Sequence, residues 1–338
     1  MTDNQQWLSR RYLAYRMFSS MWFVGAVWLY FYRLFITDQQ VGILDAMALT
    51  IGLLAEVPSG ALADKFGRDR MVRLGQVLIG AGMLIQVVGA NFSAFIGGQA
   101  VMNVGMAFAS GADDALFFER LNFERTSVQW RKLVTRGTQV GRAASLTAVV
   151  VGGLLHSVNP RLPWYLTAFA FFFAAAAVWP VKDIRPRKAR KVFWAEVSDY
   201  VHDIKTGFGQ VWAPRLRFYL PFIITVQGVF YATGWGLLRI VLLDRFHFNP
   251  LWGSVAIATC AFVTVLILGA MHRYAHRLSE KHMLTWIGLT TAAALLLAVP
   301  HIGIWGFAVV LTLYVGEYMI LPLMSETLNS HAPEAQRA

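Results

Sequence analysis

Long apolar blocks alternate with short polar joints from one end of this chain to the other. The blocks lie near 14–36, 41–63, 71–91, 94–118, 137–157, 162–180, 217–242, 251–271, 282–300 and 302–325. Each is about the twenty residues that a helix needs to cross a bilayer. None shows the alternation, in runs of about ten, of a membrane β-barrel. In lipid every backbone N–H and C=O must pair within its own segment, so blocks of this length predict helices. The expected fold is an all-α membrane protein, a helical bundle with about ten transmembrane helices.

Composition agrees. The chain is 57% hydrophobic and 14% charged, whereas a soluble domain is about a quarter charged. The polar start MTDNQQWLSRR leads into a block long enough to span, with no small-residue cleavage site, so no cleavable signal peptide is expected. Cys260 is the only cysteine, which rules out an intrachain disulfide.

The net charge of +11 invites a nucleic-acid reading, but its placement argues for topology instead. Of the 30 Lys and Arg residues, 24 fall in the two tails and in the joints at 64–73, 119–136, 181–217 and 272–281. The opposite joints hold Arg33, Arg161 and Arg245. Basic joints stay cytoplasmic, which places both termini inside. The excess charge then faces anionic lipid headgroups, and no nucleic acid is expected as a partner.

The longest basic joint, 182–216, carries Phe193, Val197, Tyr200, Val201, Ile204, Phe208, Val211 and Trp212 at helical spacing. This predicts an amphipathic surface helix linking two bundles. The domains expected are a six-helix bundle over 1–181, the linker 182–216, and a four-helix bundle over 217–338. The halves echo each other. Glu119-Arg120-Leu121-Asn122 and Glu326-Thr327-Leu328-Asn329 each close an even-numbered helix, and GALADKFGR at 60–68 faces GAMHRYAHR at 269–277. In a duplicated six-helix register the sequence stops where an eleventh helix would begin, so the second bundle is expected to be two helices short.

The stretch GALADKFGRDR at 60–70 resembles the signature of the major facilitator superfamily: glycine, three residues, aspartate, a basic residue, any residue, glycine, arginine, then further basic residues. Gly60, Asp64, Lys65, Gly67, Arg68 and Arg70 match, while Asp69 stands where the family prefers a basic residue. The motif falls in the joint between the second and third blocks, its place in the family. The run SGADDALFFERL at 110–121 and Glu56-Val57-Pro58-Ser59 resemble one bacterial branch. The resemblance implies a transporter of the bacterial inner membrane that works by alternating access. It gives the 60–70 motif the role of a conformational latch. On physical grounds Gly60 and Gly67 would allow close helix packing and a tight turn. Asp64 could pair with a neighbouring basic residue or cap a helix. Two family patterns are degraded. Gln99 stands near the place of a fourth-helix arginine, and VVVGGLL at 149–155 lacks the proline of proton-coupled exporters.

Polar groups inside a membrane are costly and mark cavities, partners or relays. At 100° per residue, Gln99, Asn103, Ser110, Asp113 and Asp114 share one stripe of the fourth helix. Gln227, Tyr231, Trp235 and Arg239 share a face of the seventh, and Glu317 lies in the tenth. The candidate substrate and proton pathway is therefore Gln99, Asn103, Asp113, Asp114, Gln227, Arg239 and Glu317. Glu56 and Arg142 are candidates for intramembrane ion pairs, and a static network of Asp113, Asp114, Glu56 and Arg142 is the structural alternative. The eight histidines show no metal spacing, and no nucleotide loop, nucleophile motif or zinc pattern occurs. No cofactor, no metal and no enzymatic activity are expected.

These readings converge on secondary active transport of a small organic solute, coupled to protons through intramembrane carboxylates, with export favoured by the resemblance. The alternatives are a transport-incompetent remnant and a membrane sensor. The charge count makes the topology testable. Single cysteines Asn91→Cys and Lys188→Cys, each in a Cys260→Ala background, are expected to label from opposite sides with an impermeant thiol reagent. Labelling of the second from outside intact cells contradicts the orientation.

Overall fold

The computed structural model describes residues 3–110, 112–121, 127–183, 237–272, 280–297 and 305–316. Contacts divide the chain into two compact units, Met1–Ile204 and Lys205–Ala338. Among the described residues all regular structure is helical.

The first unit holds α1 (Asp3–Ser19), α2 (Trp28–Tyr32), α3 (Asp38–Phe66), α4 (Arg68–Gly89), α5 (Phe92–Ala109), α6 (Ala112–Leu121), α7 (Ser127–Val158) and α8 (Leu162–Val178). Local chemistry sets the ends. Thr37 caps α3 in a reciprocal capping box with Gln40. Outside the helix core, two hydrogen bonds from the Arg33 guanidinium, at 2.7 and 3.0 Å, hold the Asp38 carboxyl below its usual range. Asn91 caps α5 by accepting the Ala94 N–H at 2.9 Å. Gly67 separates α3 from α4 at φ +93°, a backbone conformation that glycine alone adopts without strain.

Packing inside lipid has little hydrophobic drive between helices, so close backbone approach takes its place. The antiparallel helices α4 and α5 achieve it with paired glycines. A β-carbon on Gly75 would stand 2.6 Å from the Gly105 carbonyl oxygen, and one on Gly82 would stand 2.6 Å from that of Gly98. The pairs lie seven residues apart on both helices, two turns of one seam. One end of the unit is filled by Leu8, Tyr12 and Tyr15 of α1, Leu116 and Phe117 of α6, and Val178 of α8, all buried.

Two expected spans differ from the structure. The block 14–36 is not one helix: α1 ends at Ser19 and turns lead to α2. Val24, Ala26 and Val27 in that turn are buried, and Gly152 of α7 leaves room for the Phe23 carbonyl. Irregular backbone is tolerated at such a place because protein, not lipid, surrounds it. The block 94–118 is also interrupted, since Ser110 leaves the helical region at ψ 127°. Gly60 is exposed among the described residues, and a β-carbon there would meet nothing within 4 Å.

The second unit contains α9 (Leu237–Arg245), α10 (Pro250–His272), α11 (Glu280–Leu297) and α12 (Gly306–Gly316). Asn249 accepts the Trp252 N–H at the start of α10, and Cys260 is buried along it. By length and apolarity, Arg68–Gly89, Trp130–Val158 and Pro250–Ile267 qualify to cross a membrane among the described residues, as does the stretch Phe92–Arg120 that α5 and α6 divide between them, with Leu162–Val178 and Gly306–Gly316 as shorter apolar helices.

The glycine seam gives a direct test. Gly82→Ala forces a β-carbon onto backbone and is expected to cost about 1–3 kcal/mol, the usual range for overpacking. Gly60→Ala replaces glycine in an open helical position and should be neutral or stabilising by up to about 1 kcal/mol. The comparison is read from thermal midpoints and from the yield of monodisperse protein in detergent.

Candidate functional site

Three polar groupings occupy the first unit, and each joins helices that are distant in sequence. The first is the joint between α3 and α4. Its glycine turn aims the Arg68 backbone N–H at Asp183 Oδ2, 3.0 Å away, so a carboxylate from beyond α8 caps α4. The Arg68 guanidinium reaches Glu119 Oε1 of α6 at 2.9 Å, with both side chains mostly buried. Asp69, the residue that departs from the family pattern, is buried and forms an ion pair with Arg73 one turn along. Arg73 in turn lies over the Trp179 ring, 5.2 Å from its centroid. Of the expected latch residues, Gly67 and Arg68 are in contact with this network, while Lys65 and Arg70 are exposed. The Asp64 side chain lies outside the described residues, although its backbone belongs to α3.

The second grouping lies between α6 and α1. Asp113 and Asp114 stand in the first turn of α6, where carboxylates complement the helix dipole. The Tyr15 hydroxyl donates to Asp113 Oδ2 and the Tyr12 hydroxyl to Asp114 Oδ1, each at 3.0 Å. The Asp114 N–H donates to Asp113 Oδ1 at 2.8 Å. A cation that the sequence reading did not place there, Arg16, stands 3.9 Å from Asp113 Oδ2. That separation is too long for a hydrogen bond, so charge alone holds the pair. Gln76 of α4 donates to the Tyr15 hydroxyl at 3.2 Å. Its Oε1 and the Arg16 Nε are buried without a hydrogen-bond partner.

The third grouping contains the rest of the expected stripe. The Tyr32 hydroxyl donates to Gln86 Oε1 and accepts from Gln99 Nε2 at 3.1 Å. Asn103 Nδ2 donates back along α5 to the Gln99 carbonyl at 2.8 Å. Below it lies a cavity of about 130 Å³ lined by Gly52 and Glu56 of α3 and by Asn103, Met106, Ala107 and Ser110.

The single stripe is therefore two sites. A 100° count requires an unbroken helix, and the backbone leaves the helix at Ser110. Gln99, Asn103 and Ser110 turn toward α2 and α3, whereas Asp113 and Asp114 turn toward α1. Glu56 lines the cavity, and Arg142 is an exposed residue of α7. Gln227 and Glu317 lie outside the described residues. Arg239 is in α9 with its side chain outside the description. Sequence reasoning missed Tyr12, Tyr15, Arg16, Tyr32, Arg73 and Asp183. Of these, Arg73 alone had a local signal, its i,i+4 spacing from Asp69.

Helices joined by buried charge and by close glycine contacts are the parts of a membrane-embedded machine, and the sequence profile decides which. The Major Facilitator Superfamily profile matches residues 12–338. The chain belongs to the major facilitator superfamily. It is an integral, multi-pass membrane protein of a transporter family, not an enzyme. Among curated relatives, Multidrug resistance protein 2 of Bacillus subtilis (strain 168) is 22% identical over 304 residues, 88% of this chain and 72% of that protein. The crystal structure of the nucleoside transporter NupG superposes with a TM-score of 0.73 at 11% identity, over 99% of this chain and 85% of that one. The D-xylose-proton symporter gives a TM-score of 0.63 at 12% identity, over 98% and 84%.

Proposed function

We propose that the protein is a secondary active transporter that carries a small organic solute across a bacterial inner membrane by alternating access, coupled to protons, with export favoured. The family supports transport. The name of the Bacillus relative supports export, and the symport named for the xylose carrier supports proton coupling. Both termini and the basic joints face the cytoplasm in this reading, against anionic lipid.

The observation that carries proton coupling is the carboxylate pair of α6. Asp113 holds Arg16 by charge across 3.9 Å and holds Tyr15 by a hydrogen bond. A proton on Asp113 removes the attraction to Arg16 and leaves the tyrosine contact available. It loosens α1 from α6 without stripping the carboxyl of partners. Deprotonation restores the pair. Intramembrane carboxylates of this kind serve as relays in transporters. At the far end of α6, the Arg68–Glu119 pair ties the same helix to the α3–α4 joint. The joint, with Gly60, Asp64, Lys65, Gly67, Arg68 and Arg70, acts as the conformational latch, and α6 connects it to the proton site.

Neutralising the titrating carboxylate separates coupling from transport. Asp113→Asn is expected to reduce pH-gradient-driven accumulation in vesicles to the equilibrium level while solute exchange continues. Asp114→Asn, whose partner is Tyr12, should retain accumulation in part. The yield of monodisperse protein in detergent is measured alongside, since a purely structural role for Asp113 predicts loss of folded protein instead. Proton-driven accumulation surviving in both variants contradicts the assignment.

A further inference from the structure

The cavity between α3 and α5 presents acceptors and a negative charge, and little that donates. Glu56 is the one ionisable residue among its described lining residues. The Asn103 amide is oriented by its own helix: Nδ2 donates to the Gln99 carbonyl at 2.8 Å and to Gln99 Oε1 at 3.3 Å. Its carbonyl oxygen therefore faces α3, 3.4 Å from where a β-carbon on Gly52 would stand. Gly52 has no side chain to occupy that space. Ser110 adds a hydroxyl at the end of α5, and Met106 and Ala107 supply an apolar wall.

We propose that this cavity takes the head of a protonated amine, so that the transported solute is a small organic cation with a primary or secondary ammonium and an apolar body. The proposal rests on the transporter reading. An ammonium brings two or three donors and one positive charge, which match the Glu56 carboxylate, the Asn103 Oδ1 and the Ser110 oxygen. Charge-assisted hydrogen bonds are the stronger kind, more so in a partly enclosed site. An anionic head would meet the carboxylate and a carbonyl oxygen, and a neutral hydroxyl would forgo the ionic term. A volume of about 130 Å³ suits a head group rather than a whole solute, and the exposed Met106 and Glu56 side chains leave the apolar body room to extend outward.

The test uses the full chain in lipid nanodiscs and three probes of matched shape: phenethylammonium, phenethyl alcohol and phenylacetate. Calorimetry on the wild-type protein should show the ammonium binding about tenfold tighter than the alcohol, with phenylacetate weakest, as one charge-assisted contact predicts. Glu56→Gln should remove the difference between ammonium and alcohol, and Glu56→Asp should keep part of it. Because the ranking is read first on the wild type, misfolding of a variant does not decide the question. Equal binding of alcohol and ammonium, preference for phenylacetate, binding of none of the three, or an unchanged ranking in folded Glu56→Gln each overturns the proposal. Vesicle uptake with labelled sugars, nucleosides and amines is measured in parallel. Movement of a neutral solute by the wild type, undisturbed by Glu56→Gln, leaves the transporter reading standing and removes the cationic one. Movement of no solute removes both.

Discussion

The charges of α6 constrain everything packed around it. A ten-residue helix carries Asp113 and Asp114 at one end and Glu119 near the other, with Leu116 and Phe117 buried between them. Burying a carboxylate without partners costs several kcal/mol even after relaxation. Asp113 and Glu119, whose side chains are mostly buried, therefore each need a donor or cation at a fixed place, and the exposed Asp114 adds a tyrosine contact. Tyr12, Tyr15 and Arg16 fix where α1 lies, and Arg68 fixes where the α3–α4 joint lies. The polar contacts at this end of the unit thus specify a unique arrangement of apolar helices, which could otherwise slide past one another at little cost.

The glycine seam does complementary work. The Gly75–Gly105 and Gly82–Gly98 pairs let α4 and α5 approach closely, and α6 follows α5 in the chain. The same approach positions Gln86 beside Tyr32 and so sets the Gln99 amide that orients Asn103. The cavity and the carboxylate pair proposed to carry protons are close in sequence. Ser110 lines the cavity and Asp113 stands three residues on, across the interruption that separates α5 from α6.

Much of this was legible in the sequence, for physical reasons. Long apolar blocks have one solution in lipid, and the glycine of the 60–70 motif announced a turn that requires positive φ. Glu119 was visible as part of an internal echo, though not its bond to Arg68. The break at Ser110 was not legible, because Ser-Gly-Ala is punctuation too weak to stop a helix by propensity. That concealed the division of the polar stripe. The tyrosine and arginine partners of α6 were hidden by distance along the chain, about a hundred residues between donor and acceptor. Asp69 looked like a departure from the motif and proves to be internally compensated by Arg73. Gly60 matched the motif and makes no close contact among the described residues. A motif residue and a packing residue are different things.

In the proposed mechanism Asp113 gains and loses a proton during the transport cycle, in step with solute binding and release. Infrared difference spectroscopy of the full chain in lipid, solute-bound minus solute-free and with isotope-labelled aspartate, observes this directly. The account predicts a shift or loss of a protonated-carboxyl band on solute binding, assigned to aspartate by its isotope displacement. A difference spectrum that shows bound solute but no aspartate carboxyl change at any pH across the transport range would contradict it.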